Sequence, residues 1–134
     1  MIHKILLLIN DIAKAQVSLM ECVDYYDDTI IHPESYRQGR ELIKEKVSSI
    51  EEILNKTFYD QYPLRDQFLM NKVEVGVLSH TIHIKFSHRM PKDYKHNLKL
   101  FMKMMSMHYK CTQTISRGRI FFLIDFWYPK GECI

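Results

Sequence analysis

Alanine is nearly missing from the chain: only Ala13 and Ala15 occur in 134 residues. Glycine and proline number four each, which excludes collagen-like and linker-rich sequences. The three cysteines, Cys22, Cys111 and Cys133, are odd in number and form no C-x-x-C pair. Neither a disulfide framework nor a zinc ribbon is therefore indicated, and a reducing cytoplasm is the expected compartment. No stretch approaches the roughly 18 apolar residues of a membrane span. The apolar run over 5–9 falls short of the about 7–15 residues of a secretory h-region, so no signal peptide is expected despite Ala13-Lys14-Ala15. P-loop, G-x-S-x-G and dinucleotide-binding glycine motifs are missing too.

What is present is an ordinary globular composition, 46% hydrophobic and 26% charged. Lys, Ile, Tyr and Phe, which have AT-rich codons, stand in place of alanine. This usage fits an AT-rich genome, such as a low-GC bacterium, its phages or a virus. The net charge of +3 hides a split. Residues 1–66 hold 8 basic and 12 acidic side chains, and residues 67–134 hold 11 basic and 4 acidic, giving −4 and +7.

Periodicity gives the elements. Ile5, Ile9, Ile12, Gln16, Leu19, Val23 and Tyr26 recur at three- and four-residue spacing, which predicts a helix over 2–26. Pro33 opens a second helix, expected to run to about 59, with Ile43, Val47, Ile50, Leu54 and Phe58 on its apolar face. Gly39 either weakens that helix or marks a close helix crossing. The two make an αα-hairpin. A connector is expected over 60–72. Alternation then predicts strands over 73–78 and 82–87 around a turn at 79–81. Pro91 opens a third helix to about 109, and two more strands follow over 111–116 and 119–128 around Arg117-Gly118. Phe121, Leu123 and Trp127 alternate with Ile120, Phe122, Ile124 and Phe126, which predicts a last strand covered on both faces.

The fold class is α+β: an N-terminal αα-hairpin followed by a ββαββ unit with a four-stranded, mainly antiparallel sheet. One domain over 1–134 is expected, made of an acidic hairpin (1–60) and a basic unit (72–130). The third helix should cover one face of the sheet, with the hairpin on the other face or beside it. The hairpin's apolar surplus suggests a homodimer through it.

Seven histidines prompt a search for metal or acid–base sites. His80, His83 and His88 do not converge at strand spacing, His96 and His108 lie too far apart on their helix, and the histidine triplets miss the two-histidine phosphoesterase pattern. No metal or cofactor is expected. Asp125, set among Ile124, Phe126 and Trp127, is either an exposed notch or half of an ion pair across the sheet to Lys85, Lys110 or Arg119. The stronger feature is the third helix. Lys92, Lys95, Lys99 and Lys103 form one stripe, continued by Lys110, and Arg117 and Arg119 flank a turn. Tyr94, Leu98, Phe101, Met102, Met105 and Tyr109 form the core stripe. Leu100, Met104 and Met107 form a third arc, either covered or presented to a partner. The candidate partner-binding set is therefore Lys92, Lys95, Lys99, Lys103, Lys110, Arg117, Arg119, Met104 and Met107.

These features point to a small non-enzymatic interaction protein. Its basic half would bind an acidic or nucleic-acid-handling protein, as an inhibitor or regulator from a phage or mobile element would. One alternative is a nucleic-acid-binding protein without sequence specificity. The other is an enzyme with a nonlocal site joining Asp125 to a strand histidine such as His83.

Overall fold

The polypeptide begins with a helix, α1, over Ile2–Glu21. The computed structural model describes residues 1–58, 73–86, 92–117 and 119–129, without the side chains of Lys92, Asp93, Tyr94 and Pro129. After α1 come two-residue strands β1 (Val23–Asp24) and β2 (Thr29–Ile30), then helix α2 (Pro33–Phe58). Strands β3 (Glu74–Leu78) and β4 (Thr81–Phe86), helix α3 (Lys92–His108), and strands β5 (Tyr109–Ser116) and β6 (Arg119–Pro129) follow. The expected connector over 60–72, together with Arg89, Met90, Pro91 and Gly118, lies outside the described residues.

Helix α1 ends at Glu21 and does not continue to 26. The Asp24 carboxylate accepts hydrogen bonds from the backbone N–H of Tyr26 (2.9 Å) and Asp27 (3.4 Å), turning the chain where a helix would have run on. Val23 then pairs with Ile30 in a small antiparallel ribbon. Tyr26, expected on the apolar helix face, is instead 100% exposed. Helix α2 starts as expected, with Pro33 in its first turn and the Tyr36 N–H bonded to the His32 carbonyl at 3.0 Å.

The two helices pack as a hairpin, and Gly39 is the close approach. A methyl group there would lie 2.7 Å from Cδ2 of Leu19 on α1. The hairpin seam is used within the chain. Ile5, Ile9 and Ile12 of α1 and Ile50, Leu54 and Phe58 of α2 are buried in the same core as the sheet. Other apolar residues of the two helices stay outside that core: Leu7, Val17, Met20 and Leu42 are exposed.

The sheet is antiparallel with strand order β3-β4-β6-β5. Ile82, Ile84 and Phe86 of β4, and Phe122, Ile124 and Phe126 of β6, point to one face. Against them lie α1, α2 and, from α3, Leu98, Phe101, Met102 and Met105. Edge-to-face contacts join Phe101 to Phe58, Phe86 and Phe122 with ring centroids 6.1–6.4 Å apart. Each such pair adds about 0.5–1.5 kcal/mol beyond area burial.

All three helices therefore share one face: α2 against β3, α3 against β5 and β6, and α1 between them. The hairpin packs beside α3, and the expected double cover of β6 is corrected. The reason is the other parity of β4 and β6, which carries Thr81, His83, Lys85 and Asp125. Those groups would have to be desolvated under a helix. Phe121 and Leu123 are half-buried on that open face, in register with Lys85 and His83 of β4 and with Thr114 and Thr112 of β5.

Candidate partner-binding surface

Helix α3 divides sharply. Leu98, Phe101, Met102 and Met105 are buried, at the spacing that a sheet-facing stripe requires. On the outward side, Leu100 is 45% exposed, Met104 43% and Met107 65%. The methionines that fill the core, Met102 and Met105, and those that face solvent, Met104 and Met107, thus come from one helix. Tyr109 packs against the core edge.

Lys95, Lys99 and Lys103 are exposed, follow i, i+4, i+8 spacing and border the apolar arc. Among the described residues none of the three makes an ion pair. The acidic hairpin does not neutralise them. Some of its charges pair internally: Arg37 with Glu34 and Glu41, Lys56 with Glu52, and Lys46 with Asp11. Glu34 is held below the usual carboxylate range by its hydrogen bond from Arg37 and then by the Arg37 charge. Lys85 is compensated as well, by Glu74 at 3.1 Å.

The rest of the expected basic set is divided between two places. Lys110 lies on the open sheet face, opposite Asp125 in register, with its Nζ over the Tyr128 ring at 5.8 Å. Arg117 and Arg119 flank the β5–β6 turn, at the other end of β5. Eight strand residues, roughly 25 Å, separate that turn from the start of β5. Arg117 holds a left-handed backbone (φ 52°). The side chain of Lys92 is outside the described set. Lys95, Lys99, Lys103, Met104 and Met107 therefore form one surface, and Lys110 and the arginines do not join it.

Asp125 takes a partner that was not among the candidates. His80 Nε2 lies 3.5 Å from its Oδ2, and the other carboxylate oxygen accepts the Trp127 N–H at 3.1 Å. The His80 ring leans on Trp127 with centroids 5.4 Å apart, and Ser79 Oγ lies 3.2 Å from His80 Nδ1. His83, the strand histidine considered for this role, is exposed in the next row of the sheet, in register with Leu123. His80 reaches Asp125 because the turn Ser79-His80 breaks strand parity, with Ser79 at φ 55°. The cavity beside Ser79, lined by Gln16, Met20, Tyr25 and Trp127, holds about 130 Å3. That is below the about 300–1,000 Å3 of common small-molecule sites, but the cavity shares Met20, Tyr25 and Trp127 with a larger groove.

One feature was not read from the sequence. A shallow apolar groove of about 710 Å3 runs between Val17, Met20 and Tyr25 on one side and Phe126 and Trp127 on the other. Tyr25 reaches it from the tip of the β1–β2 ribbon, in a segment expected to be helical.

Among the described residues no three His, Cys, Asp or Glu side chains gather as metal ligands, and no helix is long and apolar enough to cross a membrane. No family model, no curated protein and no solved structure matches this chain.

Proposed function

We propose that the chain is a small non-enzymatic interaction protein that binds an acidic or nucleic-acid-handling cytoplasmic protein through the outward face of α3. An inhibitor or regulator carried by a phage or mobile element fits its size and composition. The observation that supports this reading is the exposed Leu100–Met104–Met107 arc beside three lysines without ion pairs. Exposed methionines adapt to irregular apolar surfaces, and a lysine border selects an acidic rim and speeds encounter. A surface meant only for phosphates has no use for the apolar arc, because backbone binding to nucleic acid is carried by charge.

The test is affinity capture from the native host with and without nuclease, followed by affinity measurement on the recovered partner. A partner that survives nuclease is expected. Met107→Glu should weaken its binding by about tenfold, as loss of a central apolar contact does. The pair Lys95→Glu with Lys99→Glu should weaken it severalfold and flatten its salt dependence. Loss of all bound material on nuclease treatment would replace this reading with nucleic-acid binding.

A further inference from the structure

The two edges of the sheet differ in what closes them. Phe126 N–H donates to the His80 carbonyl at 3.1 Å, which assigns the even-numbered residues of β6 to β4 and the odd-numbered ones to β5. In the β5–β6 register, Asp125, Leu123 and Phe121 face Lys110, Thr112 and Thr114. Those β5 residues direct their backbone groups to β6. Gln113 and Ile115 therefore turn theirs outward, away from the sheet.

By the same alternation, Val73, Val75 and Val77 of the β3 side face outward, and α2 satisfies three of their groups. Asn55 accepts the Val73 N–H (2.8 Å) and donates to the Val73 carbonyl (3.1 Å), and Glu51 accepts the Val75 N–H (3.1 Å). At Gln113 and Ile115 no such bond exists among the described residues. Natural sheets usually blunt an open edge with charge, proline or a bulge. From Cys111 to Ser116 this edge has neither charge nor proline, and its irregularity lies back at Tyr109/Lys110. Ile115 is also 66% exposed.

We infer that β5 pairs antiparallel with β5 of a second copy of this chain, joining two four-stranded sheets into one of eight strands. A two-fold axis at Thr114 sets Gln113 opposite Ile115 of the other copy, so that the outward N–H and C=O groups of both satisfy each other. The uncharged run makes the edge self-complementary. In this register Arg117 lies opposite Cys111 and no like charges meet, whereas an acidic or basic foreign strand would gain no charge partner in the centre.

A strand edge alone falls short of the about 800 Å2 per partner of a stable interface. Helix α3 supplies the rest. Its flank with buried Met102 and half-buried Ser106 is the covered one, toward α1. The opposite flank carries exposed Asn97, and the two-fold would bring this flank of both copies together over the paired strands. Met107 and the lysines stay outside this contact.

Sedimentation of the full chain from low to high micromolar concentration tests the inference. The wild type should reach dimer mass. Ile115→Lys, which places like charges beside the axis, and Gln113→Pro, which removes an outward N–H without touching the β6 ladder, should each raise the dimer Kd by at least about tenfold. Ile115→Lys changes an exposed side chain and keeps the test valid if the proline variant fails to fold. In a background with Cys22, Cys111 and Cys133 replaced by serine, Thr114→Cys should oxidise to a covalent dimer, because residues paired on the axis without backbone bonds lie about 4.5 Å apart at Cα. A monomeric wild type throughout overturns the inference. So does a dimer that ignores Ile115→Lys but dissociates with Leu42→Lys on the outer side of the hairpin.

Discussion

At one side of the molecule, α2 reaches over the sheet edge and satisfies both backbone groups of Val73 through Asn55 and the Val75 N–H through Glu51. At the other side, Gln113 and Ile115 turn the same kinds of groups to solvent, next to a helix that exposes Met104 and Met107. Both backbone groups of Val73 and the Val75 N–H are thus closed by α2, while Gln113 and Ile115 have no such partner among the described residues. The contrast teaches where surplus binding capacity lies, since one fold supplies the reference for what closure looks like. It also separates the two charge patterns. The hairpin pairs Glu34, Glu41, Glu52 and Asp11 internally, while Lys95, Lys99 and Lys103 make no ion pair among the described residues.

The largest expected effect tests the division within α3. Met105→Ala should cost about 2–4 kcal/mol of stability in denaturant unfolding, since it empties a core position, whereas Met107→Ala should stay within about 0.5 kcal/mol. Equal losses would break the distinction between the inner and outer faces. At the edges, Asn55→Ala strands both backbone groups of Val73 in a part-buried site and should cost about 2 kcal/mol, against less than about 0.5 kcal/mol for Gln113→Ala. Hydrogen exchange at Val73 should accelerate in the same variant.

The smallest effect concerns the hairpin's internal pairing. The folded-state pKa of Glu34 is depressed, so the contribution of its bond to Arg37 is present above the ordinary carboxylate range and fades as pH falls through the lowered value. Arg37 is shifted up and stays charged throughout. An NMR titration should find the Glu34 midpoint below that of an ordinary glutamate, and Arg37→Met should return it to the usual range.

Much of this could be read from the residues. Alternation in β3, β4 and β6 and the Leu98–Phe101–Met102–Met105 stripe placed the sheet and α3 within a residue or two, because burial on one face imposes a period. Gly39 announced the helix crossing. The turn at Asp24 escaped because a carboxylate bonding its own backbone competes with helix locally and leaves the apolar spacing unchanged. The cover of β6 was misread because Phe121 and Leu123 look like core residues until Lys85, His83 and the threonines are placed beside them. Asp125 met His80 and not a lysine because a two-residue turn moves a side chain off the strand's parity. The edge closure by Glu51 and Asn55 has no local signature at all; it depends on where α2 comes to lie.

Strand β4 sits between a neighbour that immediately precedes it and one that arrives only after α3. Leu78 meets Thr81 across a two-residue turn, but Thr81 meets Asp125 from the far end of the chain. The first pairing closes a short loop and can form on the microsecond scale of a hairpin, about 1–10 μs. The second must first bear the entropy of bringing α3 and β5 back. The aromatic contacts of Phe101 with Phe86 and Phe122 bridge these two stages, so the helix that presents the exposed arc also guides the late strand into its register.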